Sequence, residues 1–312
     1  MRAFARRGLA AVMLLLVSST LFAQSSTYTQ TRYPVVLVHG LLGFDRLFGA
    51  LDYFYRVPEE LRSGGARVYV ANLSSSNSSA LRGEQLIREL DTLRALYGHQ
   101  KFNLLGHSHG GPTIRYVASV RPDLVASITS VGAPHTGSKV ADGLNVIAPP
   151  GSAQNVLIAS FVNALSVFIE FLSGDNDPQN ALAALKSLSS PGAAAFNSRH
   201  PQAMPPSNNR CGSGASSVNG IRYYSLGGTS VLTNVFDASD AFLGVSQLFF
   251  GFEQNDGLVG QCSSHLGVVL RDDYPWNHLD QSNQVLSLRG LFAPSPTSVY
   301  RAQANRLKLL GL

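Results

Sequence analysis

A short apolar run that ends in a glycine-flanked serine constrains the fold of this chain more than any other feature. Residues 102–105 read Phe-Asn-Leu-Leu, and residues 106–110 read Gly-His-Ser-His-Gly. A serine in Gly-x-Ser-x-Gly occupies a sharp strand-to-helix turn with its hydroxyl exposed, and the glycines let strand and helix pass closely. Residues 112–118 have the pattern of the following helix. The motif therefore predicts a nucleophile, Ser108, at the carboxyl end of a buried strand.

Strand-like and helical patterns alternate along much of the chain. Leucines at helical spacing between residues 81 and 96 carry charges on the opposite face, which predicts a helix. Strands that alternate with helices form right-handed crossovers and a mostly parallel sheet. We therefore expect an α/β fold with its active site at the carboxyl ends of the strands. The predicted strands are residues 33–38, 67–71, 102–105, 128–131 and 221–225.

The first 23 residues predict a secretory signal peptide. Three arginines precede an apolar run over residues 9–17, and small residues follow up to Ala23, near which we expect cleavage. Residues 24–312 are then long enough to bury one core, so a single domain is expected. These arginines supply more than half of the net charge of +5, and no other basic cluster has interleaved aromatics. Nucleic acid is therefore not an expected partner.

Cys211 and Cys262 are the two cysteines of the chain, and both follow the signal peptide. In an oxidising compartment we expect them to form one disulfide, which would stabilise the fold by roughly 4 kcal/mol through loop entropy. The alternative is that the two cysteines bind a metal.

The strand pattern is absent between Pro149 and about Leu188. Seven large apolar residues recur at helical spacing between Gln154 and Leu172, and Glu170 is the only charged residue in that stretch. A helix with such a stripe must bury it against another surface. Two interpretations stay open: a core helix packed on the sheet, or a lid within about 150–188 that covers the site in water and meets lipid when open.

A serine nucleophile needs a base within hydrogen-bond reach, and the base needs an acid to hold it. On elbows of this kind the chain order is serine, acid, histidine. His278 is the preferred base because it lies in a loop ahead of a helical pattern, whereas His265 is interpreted as structural; His200 is the third histidine in the right order. Asp256 is the preferred acid, at an Asn-Asp-Gly turn signal. Its competitors are Glu253, then Asp237 and Asp240.

The anion formed when serine attacks a carbonyl requires hydrogen-bond donors. One should be the main-chain N–H of His109, the residue after the nucleophile, and the other an N–H from the loop after the first strand. Leu41, which follows His39 and Gly40, is the natural second donor. His39 and His107 are interpreted as orienting or packing groups.

Six motifs spread over the mature sequence together resemble one known family. They are residues 35–43 (VVLVHGLLG), 106–111 (GHSHGG), 132–138 (GAPHTGS), 255–259 (NDGLV), 262–267 (CSSHLG) and 277–280 (NHLD). The chain resembles the calcium-dependent, foldase-assisted triacylglycerol lipases of Gram-negative bacteria, bacterial lipase family I of the α/β-hydrolase superfamily. The resemblance implies an α/β-hydrolase fold with an inserted helical lid, and a triad of Ser108, Asp256 and His278.

The resemblance also implies groups that spacing alone does not indicate. A structural calcium would be held by two aspartates and two main-chain carbonyls at Asp237, Asp280, Gln284 and Leu288, near the catalytic histidine. It further implies the disulfide between Cys211 and Cys262, a lid matching about 154–172, and a dedicated foldase chaperone as partner. We expect a monomeric enzyme, exported through the periplasm, that acts on triglyceride at a lipid–water interface.

Other functions remain open at this point. A carboxylesterase or polyester hydrolase would use the same triad without preference for an interface. An acyltransferase would pass the acyl group to an alcohol, and a binding protein of the same fold would lack catalysis, although the intact triad residues argue against the latter.

Overall fold

The computed structural model describes residues 26–41, 46–47, 51–146, 151–158, 160 and 180–312. Within them, a mostly parallel sheet has the strand order β4-β1-β5-β6-β8, and both β9 and the short antiparallel β7 pair with β8. Strands β2 and β3 form a separate antiparallel pair. The strands are β1 Val35–Val38, β2 Arg46–Leu47, β3 Leu51–Asp52, β4 Val68–Val70, β5 Phe102–His107, β6 Val125–Val131, β7 Ser217–Val218, β8 Ile221–Gly228 and β9 Val268–Tyr274.

Helices separate most of the parallel strands. The longest, α2, begins where the Ser78 hydroxyl accepts the N–H of Leu81, and it ends at Gly98, whose φ of 70° is left-handed. The described helices are α1 Val57–Ser63, α2 Ser79–Tyr97, α3 Gly110–Val120, α4 Lys139–Leu144, α5 Ala181–Leu188, α6 Ser190–Arg199, α7 Ser239–Ser246 and α8 Pro296–Leu309. The expected α/β architecture with a mostly parallel sheet is confirmed.

The sheet is buried on both faces, as strands of parallel sheets are. Val36 and Val38 of β1 point into a cluster with α2 and α3, whereas Val35 and Leu37 point into a second cluster with α1 and α8. Alternate residues of one strand therefore serve two apolar layers, and the fixed strand ends carry the loops described below.

The sequence analysis did not identify β9. Residues 268–274 read Val-Val-Leu-Arg-Asp-Asp-Tyr and are mostly half-buried, so they do not form the apolar run by which the other strands were recognised. The helix expected after His278 is instead a pair of short 3-10 turns, Asp280–Ser282 and Val285–Ser287. Cys211 and Cys262 form a disulfide, with Cα atoms 4.5 Å apart.

Two predicted segments lie wholly or largely outside the described residues. The signal peptide, residues 1–23, is one of them. Of the expected lid helix, residues 153–158 are helical, and most of the remainder up to Leu172 is not described. In the part of the chain that is described, no helix has the length and apolar character needed to cross a membrane.

Candidate active site

Ser108 lies on a strained turn between β5 and α3. Its φ of 55° is left-handed, a conformation that costs a non-glycine residue energy and clusters at functional sites. The Ser108 N–H donates to the carbonyl of Val131 on β6. A Cβ on Gly106 would lie 2.5 Å from the Gly110 backbone, and one on Gly110 would collide with the carbonyl of Val38. Both glycines are therefore required by close backbone approach.

Three of the predicted residues lie in one line of hydrogen bonds. The Ser108 Oγ is 2.8 Å from His278 Nε2, and His278 Nδ1 is 2.8 Å from Asp256 Oδ2. Because a carboxylate only accepts, His278 Nδ1 carries the proton, and Nε2 is left to accept from the serine hydroxyl. All three residues are buried. The arrangement allows the serine proton to pass to the imidazole.

The carboxylate of Asp256 is fully hydrogen-bonded. Oδ1 accepts the main-chain N–H groups of Leu258 (3.0 Å) and Val259 (2.7 Å), and Oδ2 accepts the Gln281 amide (2.6 Å) besides His278. The sharp Asn-Asp-Gly turn, with Gly257 at φ 100°, brings these N–H groups to the side chain. The loop therefore holds the acid in one orientation.

The competing residues lie elsewhere. Glu253 is exposed on a surface turn. His200 is 2.8 Å from the Ser119 hydroxyl, and His265 is 2.9 Å from the Asp272 carboxylate, so both rings have other partners. Among the described residues, Asp256 is the carboxylate that contacts the ring of His278.

The two predicted anion donors are the main-chain N–H groups of Leu41 and His109. Within the described residues, no hydrogen bond uses the main-chain N–H of Leu41 or that of His109. Gly40, which precedes Leu41, lies so close that an added Cβ would be 2.7 Å from the Ser108 Cβ. The N–H groups of Leu41 and His109 therefore have no hydrogen-bond partner among the described residues.

Arg82 is a buried cation that sequence reasoning missed, and its guanidinium holds the loop after β1. It donates to the carbonyls of His39 (2.5 Å) and Gly40 (3.1 Å). The Gly40 carbonyl and the Leu41 N–H belong to one planar trans peptide, so they point in opposite directions. Fixing the carbonyl therefore fixes the direction of the Leu41 N–H. Burial lowers the pKa of Arg82 to about 10, so the group stays charged at neutral pH.

Histidines around the serine are buried and neutral. Burial, and then the charge of Arg82, lowers the pKa of His39 to about 3. The same two causes hold the pKa of His109 well below its usual range, and its Nε2 is 2.9 Å from the Ser79 hydroxyl. Burial also lowers the pKa of His107. The orienting or packing role of His39 and His107 stays a prediction.

An acidic cluster of Asp237, Asp240 and Asp280 lies close to His278 in the chain, because Asp280 follows it by two residues. Asp237 and Asp280 are both buried, and the Asn277 amide lies between the carboxylates of Asp237 and Asp240, 2.9 Å from the latter. Burial, with a smaller contribution from the carboxylates of Asp237 and Asp240, raises the pKa of Asp280 to about 7. Oδ2 of Asp280 accepts the Asn277 N–H, whereas buried Oδ1 has no hydrogen-bond partner among the described residues.

The loop after Asp280 is strained. Val285, Leu286 and Ser287 all have positive φ, between 48° and 65°, although none of them is glycine. Such a run persists only where its surroundings fix it. It lies between Gln284 and Leu288, whose main-chain carbonyls were predicted ligands; the Gln284 carbonyl accepts the N–H of Ser287 and has a second lone pair. No group of three or more His, Cys, Asp or Glu side chains suited to a metal occurs in the described ranges.

The chain matches the α/β-hydrolase fold family over residues 33–227. It is also 50% identical to a triacylglycerol lipase of Vibrio cholerae over 309 residues, which covers 96% of this chain and 98% of the relative. A triacylglycerol lipase of Pseudomonas fragi is 42% identical, with 90% and 98% of the two chains covered. The chain therefore belongs to the α/β-hydrolase family, and within it to the bacterial triacylglycerol lipases.

Solved structures agree on the fold. A Staphylococcus hyicus lipase aligns with a TM-score of 0.58 at 18% identity, covering 92% of this chain and 97% of the other. A Bacillus licheniformis lipase in its mature form aligns with a TM-score of 0.57 at 21% identity, covering 80% and 86%. The expected α/β-hydrolase fold is thereby confirmed.

Proposed function

We propose that this chain is an exported triacylglycerol lipase that cleaves ester bonds through an acyl-enzyme on Ser108. One observation carries the proposal: the continuous hydrogen-bonded line from Ser108 through His278 to Asp256. The family membership supports the substrate class, because the full-length relatives are triacylglycerol lipases.

In the first half of the reaction Ser108 Oγ attacks the ester carbonyl carbon while its proton passes to His278 Nε2. Asp256 keeps Nδ1 protonated and stabilises the imidazolium, because its carboxylate is held by four hydrogen bonds. Collapse of the tetrahedral intermediate breaks the bond to the alcohol, which takes the proton from Nε2. Water then attacks the acyl-enzyme by the same route and releases the fatty acid.

The N–H groups of Leu41 and His109 are proposed to bind the anionic oxygen of the tetrahedral intermediate. Both are free of other hydrogen bonds within the described residues, and Arg82 fixes the peptide that contains the Leu41 N–H. Removing one such donor costs about 10²- to 10³-fold in kcat in other hydrolases.

We further infer that a structural calcium stabilises the loop beside His278. Asp237 and Asp280 would supply carboxylate oxygens, and Gln284 and Leu288 main-chain carbonyls, which are the ligands that calcium prefers. The unpartnered buried Oδ1 of Asp280 and the strained loop fit this set. The ion would supply positive charge to two buried carboxylates and would take no part in bond breaking.

Export and assisted folding complete the proposal. The arginine-led apolar segment of residues 1–23 supports passage through the periplasm. The disulfide Cys211–Cys262 suits an oxidising compartment. Expression with and without a membrane-anchored lipase foldase, followed by assay on emulsified triolein, tests whether that partner is needed.

The decisive experiment replaces the nucleophile. Ser108→Ala should retain the fold and lower hydrolysis of emulsified triolein by about 10⁴-fold or more. Ser119→Ala is the matched control, because Ser119 also bonds a histidine, His200, at 2.8 Å; it should stay active. Near-normal activity of Ser108→Ala would refute the assignment. Hydrolysis of short soluble esters without activity on triolein would instead identify a carboxylesterase.

A further inference from the structure

A chain of hydrogen bonds runs behind the Ser108 turn from Gly40 to His278. The Gly40 N–H donates to the hydroxyl of Tyr53 over 3.0 Å, and this hydroxyl is 2.6 Å from His107 Nδ1. His107 Nε2 is 2.9 Å from the main-chain oxygen of His278. All four residues are buried, so water does not compete for these bonds.

The donor and the acceptor of each hydrogen bond in this series follow from the groups at its two ends. A main-chain carbonyl can only accept, so His107 Nε2 carries the proton that bonds to His278. Burial, and then the neighbouring His278, lowers the pKa of His107, so the ring is neutral and Nδ1 accepts. Tyr53 therefore donates to Nδ1, and its oxygen accepts the Gly40 N–H.

This chain of hydrogen bonds connects the loop that contains Leu41 with the main chain of His278. Gly40 precedes Leu41, the proposed anion donor, on the loop after β1. His278 follows β9, and its own N–H donates to the carbonyl of Asp256 over 2.8 Å. The His107 and His278 rings lie 4.8 Å apart. The main chain of the base is thus held on one side by the acid and on the other by the residue before Ser108.

We propose that Tyr53 and His107 are positioning residues that fix the position of the anion-binding loop relative to the catalytic base, His278. This inference rests on the proposed function. Neither side chain reaches the reacting atoms; each acts through the backbone of Gly40 or His278. A displacement of about 1 Å at such groups can cost about 10²-fold in rate.

The first test is Tyr53→Phe, which removes the hydroxyl and keeps the ring packed against Phe54. We expect kcat on a soluble ester to fall about 10- to 100-fold, with KM within about twofold because no substrate contact is lost. Tyr69→Phe is the matched control: the Tyr69 hydroxyl also bonds a histidine, His99 at 2.8 Å, away from the site. Its kcat should equal that of the wild type. Assays are run well below each variant's Tm.

The second test uses His107. His107→Phe should slow the reaction as Tyr53→Phe does, and His107→Gln should recover part of the rate, because an amide can both donate to a carbonyl and accept from a hydroxyl. The double variant Tyr53→Phe/His107→Phe should be no slower than the slower single variant, since both changes interrupt the same series of hydrogen bonds.

An unchanged kcat in Tyr53→Phe, an equal loss in Tyr69→Phe, or losses that multiply in the double variant would overturn the inference. Failure of the proposed function looks different. In that case the wild-type protein would not be labelled at Ser108 by an organophosphonate, and it would not hydrolyse the ester. Stoichiometric labelling of the wild type with normal kcat in Tyr53→Phe would refute the positioning role alone.

Discussion

Asp256 and Asp280 are both buried carboxylates in loops beside His278, yet they differ in their hydrogen bonding. Asp256 has four hydrogen bonds, two to each oxygen. Burial, and then the nearby carboxylates of Asp237 and Asp240, raises the pKa of Asp280, and one of its oxygens has no partner among the described residues. The chain itself satisfies the first carboxylate completely, whereas the second leaves an oxygen to which the proposed calcium would bind.

This difference separates two ways of fixing an active site. The acid is held by its own turn and by Gln281, so its geometry follows from folding. The loop beyond His278 contains four left-handed non-glycine residues, Asn283 and Val285 to Ser287, and a bound cation would supply the constraint that they require. The comparison leads to four predictions, which differ in the quantity that should change.

The largest effect is expected at Asp256. Asp256→Asn should lower kcat by about 10⁴-fold, because the amide permits the wrong tautomer of His278. Glu253→Gln, at the exposed competing position, should leave kcat unchanged. Steady-state hydrolysis of a soluble ester measures both variants, and the reverse result would make Glu253 the acid.

Loss of the disulfide should affect stability rather than chemistry. The double variant Cys211→Ser/Cys262→Ser removes a link across 51 residues, and about 4 kcal/mol of stability should be lost on the loop-entropy model. Urea unfolding gives the difference. A normal unfolding midpoint would mean that the segment bearing Asp256 is held by packing alone.

Removal of calcium should have a somewhat smaller effect, confined to the Asp280 side. At calcium 100-fold above its Kd, binding contributes about 2.7 kcal/mol, so chelation should lower Tm by roughly 5 to 11 °C. Asp280→Asn should abolish this response, whereas Asp123→Asn on the surface should keep it. Calorimetry with and without chelator measures the change in Tm. An identical Tm of the wild type in both conditions would contradict the proposed structural calcium.

The smallest effect is expected at an exposed carboxylate. Hydrogen bonds from Arg121, and also from Arg94, lower the pKa of Asp123 to about 2. Its side chain is 49% exposed, so solvent screening limits Asp123→Asn to less than about 1 kcal/mol at pH 7. A lowered pKa contributes stability above pH of about 4 and loses it as pH falls through about 2. The difference from wild type should therefore close over that window in urea titrations.

The parts of the fold and site that could be predicted from the sequence are those whose residues are adjacent in the chain. The strand and turn around Ser108 are adjacent in sequence, and Asp256 sits in a turn motif that is recognisable alone. Strand β9 was missed because Arg271, Asp272 and Asp273 interrupt its apolar pattern. Tyr53 was missed because its partner His107 is 54 residues away, and no periodicity links the two.

Arg82 was missed for a related reason. It lies in helix α2, where a charged side chain is expected on the solvent side. In the folded chain it is buried and bonds main-chain carbonyls that no side-chain pattern reports. Contacts to backbone groups in distant loops are determined by the tertiary fold, so the sequence alone does not predict them.

The disulfide closes part of the chain into a covalent ring. The ring from Cys211 to Cys262 contains β8 and Asp256, while Ser108 and His278 lie outside it. A protease that cuts once within the ring, for example at the exposed turn 251–254, would leave both pieces joined through sulfur. If the enzyme is exported as proposed, Asp256 would then remain covalently attached to Ser108 after such a cut, whereas the same cut in a chain without the disulfide would separate the two pieces.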